Sequence, residues 1–171
     1  MGTELTHEGS IFLNFRHYAF PAPMGHGFRW VDAKYLRPPA GPASDRELLA
    51  AVVAHEQYRD DYAGGGVDPE GTRHGPYRLA SVTPDAYEPL TGERGAQILR
   101  AWLGPGIPAE LSADLHRDVF APLTAADSVH HLRALGNEHF HDWGGVHGEF
   151  HEFVLVDRAA ARVTLLVAAD D

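Results

Sequence analysis

The 171-residue chain contains no cysteine. Disulfides, thiolate metal sites and cysteine nucleophiles are therefore excluded. Lysine is nearly absent as well: Lys34 stands alone against thirteen arginines. With Ala, Gly and Pro abundant, that bias is the composition expected of a GC-rich bacterial genome. Positive charge is scarce overall, with 14 Lys and Arg against 24 Asp and Glu and a net charge of −10. Such a surface repels nucleic-acid phosphates and anionic membranes, and no basic run argues otherwise, so neither is an expected partner.

Long hydrophobic runs are missing too. Nothing approaches the roughly 20 apolar residues needed to span a bilayer. The opening MGTELTHEGSIFLNF lacks the charged region and apolar stretch of an export signal, so a cytoplasmic location is expected. GHGFRW and GGGVDPEG lack the third glycine of a dinucleotide fingerprint and the GK[ST] of a phosphate loop, so no nucleotide cofactor is expected. No serine sits in a glycine-flanked nucleophile elbow.

What is present is an ordinary globular balance, 44% apolar and 22% charged, in a chain long enough to bury a core. Residues 10–20 alternate as a strand, with Ile11, Leu13 and Phe15 on one face and Asn14, Arg16 and Tyr18 on the other. After the turn-rich PAPMGHG, FRWVDAKYLRP reads as its hairpin partner. Ser44 with Glu47 three residues on forms a capping pair for a helix running to about Tyr62, stopped by GGGVDPEG. HGPYRLASV is a short strand candidate. Thr91 to Leu103 reads as a second helix and ELSADLHRDVF as a third, with Leu111, Leu115 and Val119 at four-residue spacing. Residues 128–135 fit helix or strand. EFHEFVLVD and ARVTLLVAA form a C-terminal hairpin. The expected fold is one α+β domain over residues 1–171, a mainly antiparallel sheet including both terminal hairpins, packed by two or three helices from the middle of the chain.

Twelve histidines would carry the net charge from −10 to about +2 on full protonation. Four of them, His139, His141, His147 and His151, lie within thirteen residues ahead of the best strand. On a straight strand His147, Glu149 and His151 share a face that continues through Phe153 and Leu155. The other face holds Val146, Phe150, Val154 and Val156, interrupted by Glu152. His147 and His151 would stand about 13 Å apart, too far for both to approach one zinc at about 2.1 Å. Glu149 with either neighbour, completed by His139 or His141, is the expected ligand set. Imidazole and carboxylate without thiolate suit Zn, Fe, Mn or Ni, so one divalent transition metal is the candidate cofactor. A metal-free site with one His oriented by Asp142 or Glu149 is the second possibility, and a purely structural role the third.

HEQYRDDY begins like a zincin helix but has Arg59 where the second His belongs. Glu56 continues the stripe of Leu49, Val52 and Val53 and is a candidate acid/base partner of Glu149. Asp32 and Lys34 share a strand face that can meet Asn14, Arg16 and Tyr18, a polar patch in which Arg16 or Lys34 could contact a substrate anion. The functional expectation is a small soluble bacterial enzyme, in the style of secondary metabolism, with a His/Glu site at 139–151. A metal-dependent hydrolase, lyase or oxygenase acting on a small molecule fits that site. The alternative is a non-catalytic acidic binding or regulatory protein of the immunity type, with a protein partner. A concave pocket would favour the first and an exposed acidic or aromatic patch the second.

Overall fold

A computed structural model describes residues 2–21 and 28–170. The loop expected over 21–27 lies, from residue 22 onward, outside the described residues. Strands from both ends of the chain share one antiparallel six-stranded sheet: β1 (Thr6–Asn14), β2 (Arg29–Arg37), β5 (Tyr87–Leu90), β6 (Ser128–Leu132), β7 (Glu149–Asp157) and β8 (Arg162–Asp170), in the order β1-β2-β8-β7-β6-β5. A two-residue ladder, β3 (Arg73–His74) with β4 (Tyr77–Arg78), stands apart from it. The α+β architecture with both terminal hairpins is as expected.

The alternation of side chains sorts the sheet into two faces. Leu13, Val31, Ala33, Phe153, Leu155 and Leu166 point to one of them. That face is covered by α2 (Gly92–Leu103), then α3 (Ala109–Leu115), a π turn (His116–Phe120) and α4 (Ala121–Ala125). Thr91 accepts the Arg94 N–H at 3.0 Å and caps α2. The π turn precedes Pro122, whose missing N–H already breaks the regular α ladder at that point.

The opposite face carries Leu36, Val154, Val156 and Leu165 under α1 (Asp45–Ala54) and the segments 55–86 and 134–148. Ser44 and Glu47 cap α1 reciprocally, as the sequence predicts. The helix ends at Ala54 rather than near Tyr62, because His55 turns extended and its Nδ1 takes the Gln57 N–H at 3.1 Å. Asp32, Val167 and Glu152 form a row across three strands on this face.

Other differences are local. β1 starts earlier than residue 10 and stops at Asn14, where Asn14 accepts the Arg16 N–H and starts a 3-10 turn that buries Phe15. Residues 128–132 are strand. β5 was not expected, since Pro89 interrupts YEPL, and as the terminal strand of the sheet it tolerates that proline.

Candidate functional site

The floor of the site comes from alternate residues of β2. Lys34 is buried, with Nζ 2.8 Å from Asp60 Oδ2, 3.1 Å from Tyr62 Oη and 3.8 Å from Asp32 Oδ2. The ammonium also sits 4.5 Å from the centre of the Tyr62 ring. Asp60 uses its second oxygen to accept the Tyr62 N–H at 2.8 Å, which pins Tyr62 in a left-handed conformation (φ 56°). A bulky residue held there costs energy and marks a position fixed by its surroundings.

Asp32 is the group left over. Its Oδ2 is shielded from solvent and has no hydrogen-bond partner among the described residues. Burial, followed by the neighbouring Asp60 charge, pushes its carboxyl up to about 6 against the pull of Lys34.

A cavity of about 830 Å³ opens over this floor. Trp30 and Tyr62 stack at 5.3 Å in its wall, and Phe12 lies 5.8 Å from Trp30. Gly64, Gly65 and Gly66 form one lip. The rim is apolar and open to solvent: Phe12, Phe28, Trp143 and Val146 are the large hydrophobic side chains exposed among the described residues, and all four line this cavity. Of the lining cations, Arg73 lies 3.7 Å from Asp61, Arg16 stands over the Phe28 ring, and Arg29 donates to the Leu103 carbonyl.

A second polar cluster is sealed next to it. Glu152, at the interruption in the apolar face of β7, is 1% exposed. One of its oxygens meets His74 Nε2. The other accepts from Tyr87, and the Tyr58 hydroxyl lies 3.1 Å from it and 2.6 Å from the Tyr87 hydroxyl. His74 Nδ1 lies 2.6 Å from the Tyr58 carbonyl, which can only accept, so Nδ1 carries a hydrogen. The His74–Glu152 contact therefore holds one further proton between the two groups. The imidazole stacks on Tyr58 at 3.4 Å and meets Tyr62 edge-on at 6.0 Å, so the sealed cluster backs the cavity wall.

The expected histidine site is dispersed. His151 and Glu149 do meet, at 3.2 Å, but beside Trp102 on the helical face of the sheet. His139 Nδ1 faces Ser81 Oγ at 3.1 Å. His141 accepts the Trp143 N–H on Nδ1, so Nε2 bears the hydrogen and donates to the Gly75 carbonyl at 2.6 Å. His147 is buried, with Nε2 2.9 Å from the Asp61 carbonyl and its ring against Trp30. Glu56 lies exposed on a 3-10 turn while its neighbour Tyr58 enters the core. Among the described residues no group of three His, Asp or Glu side chains is arranged around a common metal position.

These histidines instead tie down what carries the rim. His141 holds Trp143 and the β3–β4 turn together, and His147 braces Trp30 and Asp61. The 137–148 segment docks closely on the β3–β4 turn, where a Cβ on Gly144 would meet the Pro76 carbonyl at 2.3 Å, and the same turn packs on β7, where a Cβ on Gly75 would meet Phe150 at 2.4 Å. Asp32 and Lys34 were visible in the sequence as a shared strand face, and Glu152 as an acid amid apolar positions. Asp60 and Tyr62 gave no periodic signal. Compared with family models, curated proteins and solved structures, the chain matches none. No helix among the described residues is long and apolar enough to cross a membrane.

Proposed function

We propose that the protein is a small enzyme whose working site is the aromatic-rimmed cavity over Asp32, acting on a small organic molecule. Convergence carries this reading: the exposed large apolar side chains of the described surface surround one concavity, and its floor presents the Asp32 carboxylate, one oxygen of which has no hydrogen-bond partner among the described residues. An apolar pocket with a few convergent polar groups is the common form of a small-molecule site. A carboxyl held near 6 is ionised enough at neutral pH to take a proton and basic enough to do so usefully. Asp32 is assigned as general base and, once protonated, as general acid. Lys34, held by Asp60 and Tyr62, keeps the floor from carrying two uncompensated charges. In this proposal the histidines of 139–151 are positioning residues, and the protein works in the cytoplasm.

The exposed rim also fits a second reading, a binding module whose aromatic patch meets a partner. Incubation with a bacterial metabolite extract, read by ligand-observed NMR and mass spectrometry, separates the two. Compounds that bind wild type, lose binding in Trp143→Ala and are consumed by wild type but not by Asp32→Asn support the enzyme. Bound compounds that are never consumed support the binding module. Compounds indifferent to both substitutions remove the cavity from consideration.

A further inference from the structure

We infer that the molecule received by this cavity presents an organic cation, such as a protonated amine, to Asp32. The inference rests on the cavity being the working site and adds the chemistry of what enters it.

The floor holds two carboxylates and one ammonium. Asp60 is satisfied, accepting from Lys34 on one oxygen and from the Tyr62 N–H on the other. Lys34 Nζ stops 3.8 Å from Asp32, beyond hydrogen-bond reach. Asp32 and Asp60 thus share one ammonium, Asp32 as the more distant partner with its buried Oδ2 turned to Lys34. The floor has one carboxylate more than it has cations, and the Asp32 side chain, 13% exposed, lines the cavity. The missing partner is a donor that also brings positive charge. An ammonium or amidinium supplies both, and charge-assisted hydrogen bonds are the stronger kind.

The walls agree with this. Phe12, the cross-strand neighbour of Asp32, holds an exposed ring at the cavity, and aromatic faces attract cations, while Trp30 and Tyr62 stack on each other with Lys34 over Tyr62. The other charged groups around the cavity have engagements of their own: Arg73 beside Asp61, Arg29 on the Leu103 carbonyl, Arg16 over Phe28. His147 is turned to the Asp61 carbonyl, and Glu152 is closed off with His74 and the two tyrosines. The aromatic rim adds a preference for an apolar body behind the cationic end.

The pH dependence follows from linkage. A cation binds best to ionised Asp32, so its affinity should be level above pH about 6 and weaken towards tenfold per pH unit below it. A ligand that accepts a hydrogen bond from protonated Asp32 would show the opposite slope.

The test is calorimetric and NMR titration of phenethylamine, 2-phenylethanol and 3-phenylpropionate into the purified protein. At pH 7.5 the amine is expected to bind at least tenfold more tightly than the other two, and to weaken as pH falls from 6.5 to 5. Asp32→Asn should bring amine and alcohol within about twofold, with Glu149→Gln on the far face as an unaffected control. Equal or tighter binding of the alcohol or carboxylate overturns the cation while leaving the cavity reading in place. Binding by none of the three at millimolar concentrations overturns both. If Asp32→Asn fails to fold, the probe and pH series on wild type decides alone.

Discussion

The two faces of the central sheet are built on opposite principles. The helical face is a mainly apolar layer in which Phe153, Leu155 and Leu166 meet Leu99, Leu111, Leu115 and Leu123, with the small hydroxyl of Thr164 buried among them. The face under α1 and the long loops buries a comparable set of aliphatic residues, yet it also encloses Lys34, Asp60, His74 and Glu152. Buried polar groups stabilise a fold only when each is paired, and an apolar substitute is often as good or better. Stability alone would have produced the helical face twice. The polar face is where the fold accepts a cost, and the cavity opens there.

The hardest test of that contrast is Glu152→Ala. It leaves His74, Tyr58 and Tyr87 facing a void with hydrogen-bonding atoms out of reach of water. Removing one partner of a buried polar network costs about 3–5 kcal/mol. Urea unfolding should show that loss, with Tyr58 and His74 of the loop layer and Tyr87 of β5 all released from β7. A loss under about 1 kcal/mol would mean that water enters the cluster, and the two faces would be less different than they look.

The matching substitution on the helical face is Leu111→Ala. Leu111 is fully buried, and the expected cost is about 2–5 kcal/mol, from lost burial and the cavity left behind. Unlike changes at Glu152 or Tyr62, it should leave probe binding at the cavity within about twofold. A parallel loss of binding would show that the helical layer, too, shapes the site.

Asp32→Asn should move stability the other way. The carboxyl is held near 6 in the folded chain, above its ordinary 3.8, with burial the main cause. Between those pH values the folded state keeps a proton that the unfolded chain has released, so stability falls as pH rises through that window. Above about 6 the penalty is complete, on the order of 3 kcal/mol. That penalty is already net of the attraction to Lys34, and the amide is spared it, so a gain of about 1–3 kcal/mol at pH 7.5 is expected, shrinking towards zero at pH 4. Thermal melts at the two pH values check this. A variant less stable at pH 7.5 would mean that the Lys34 attraction outweighs desolvation and that Asp32 is a structural acid.

The sequence showed the apolar side of this contrast well and the polar side poorly. Strand and helix periods of β7, β8, α1 and α2 are local, and alternating or four-residue spacing survives in the chain to be read. The capping pair at Ser44 and Glu47 is local too. The site is not. Lys34 and Asp60 are 26 residues apart, and Glu152 and His74 are 78. They meet only after β2 and β7 flank β8 and the loop layer folds over them. Two signs were nevertheless present: Asp32 and Lys34 on one strand face, and Glu152 breaking an apolar one. The histidines are dense in sequence but not in space, because the chain is not a strand throughout: a 3-10 turn covers Gly144–Val146 and β7 begins only at Glu149, so His147 leaves the face that His151 occupies. His147 and His151 show it, the first braced against Trp30 and the second out beside Trp102.

The smallest expected effect belongs to that second pair. His151 and Glu149 hydrogen-bond at 3.2 Å at the end of the helical face, with Glu149 exposed and its N–H donating to Asp170 Oδ1. An exposed pair of this kind gains little, since water screens it and both side chains lose freedom. His151→Ala and Glu149→Gln should each shift stability by less than about 0.5 kcal/mol, and neither should change the affinity of any cavity probe. Elemental analysis of protein purified without chelators should give the same metal content for both variants as for wild type. Two ligands do not close a tetrahedral or octahedral shell, and the other candidates of the stretch are turned to Ser81, Gly75 and Asp61. One equivalent of zinc, iron, manganese or nickel lost in either variant would put a working site on the helical face as well. The division of labour between the two faces would then fail at the point where it now looks least in doubt.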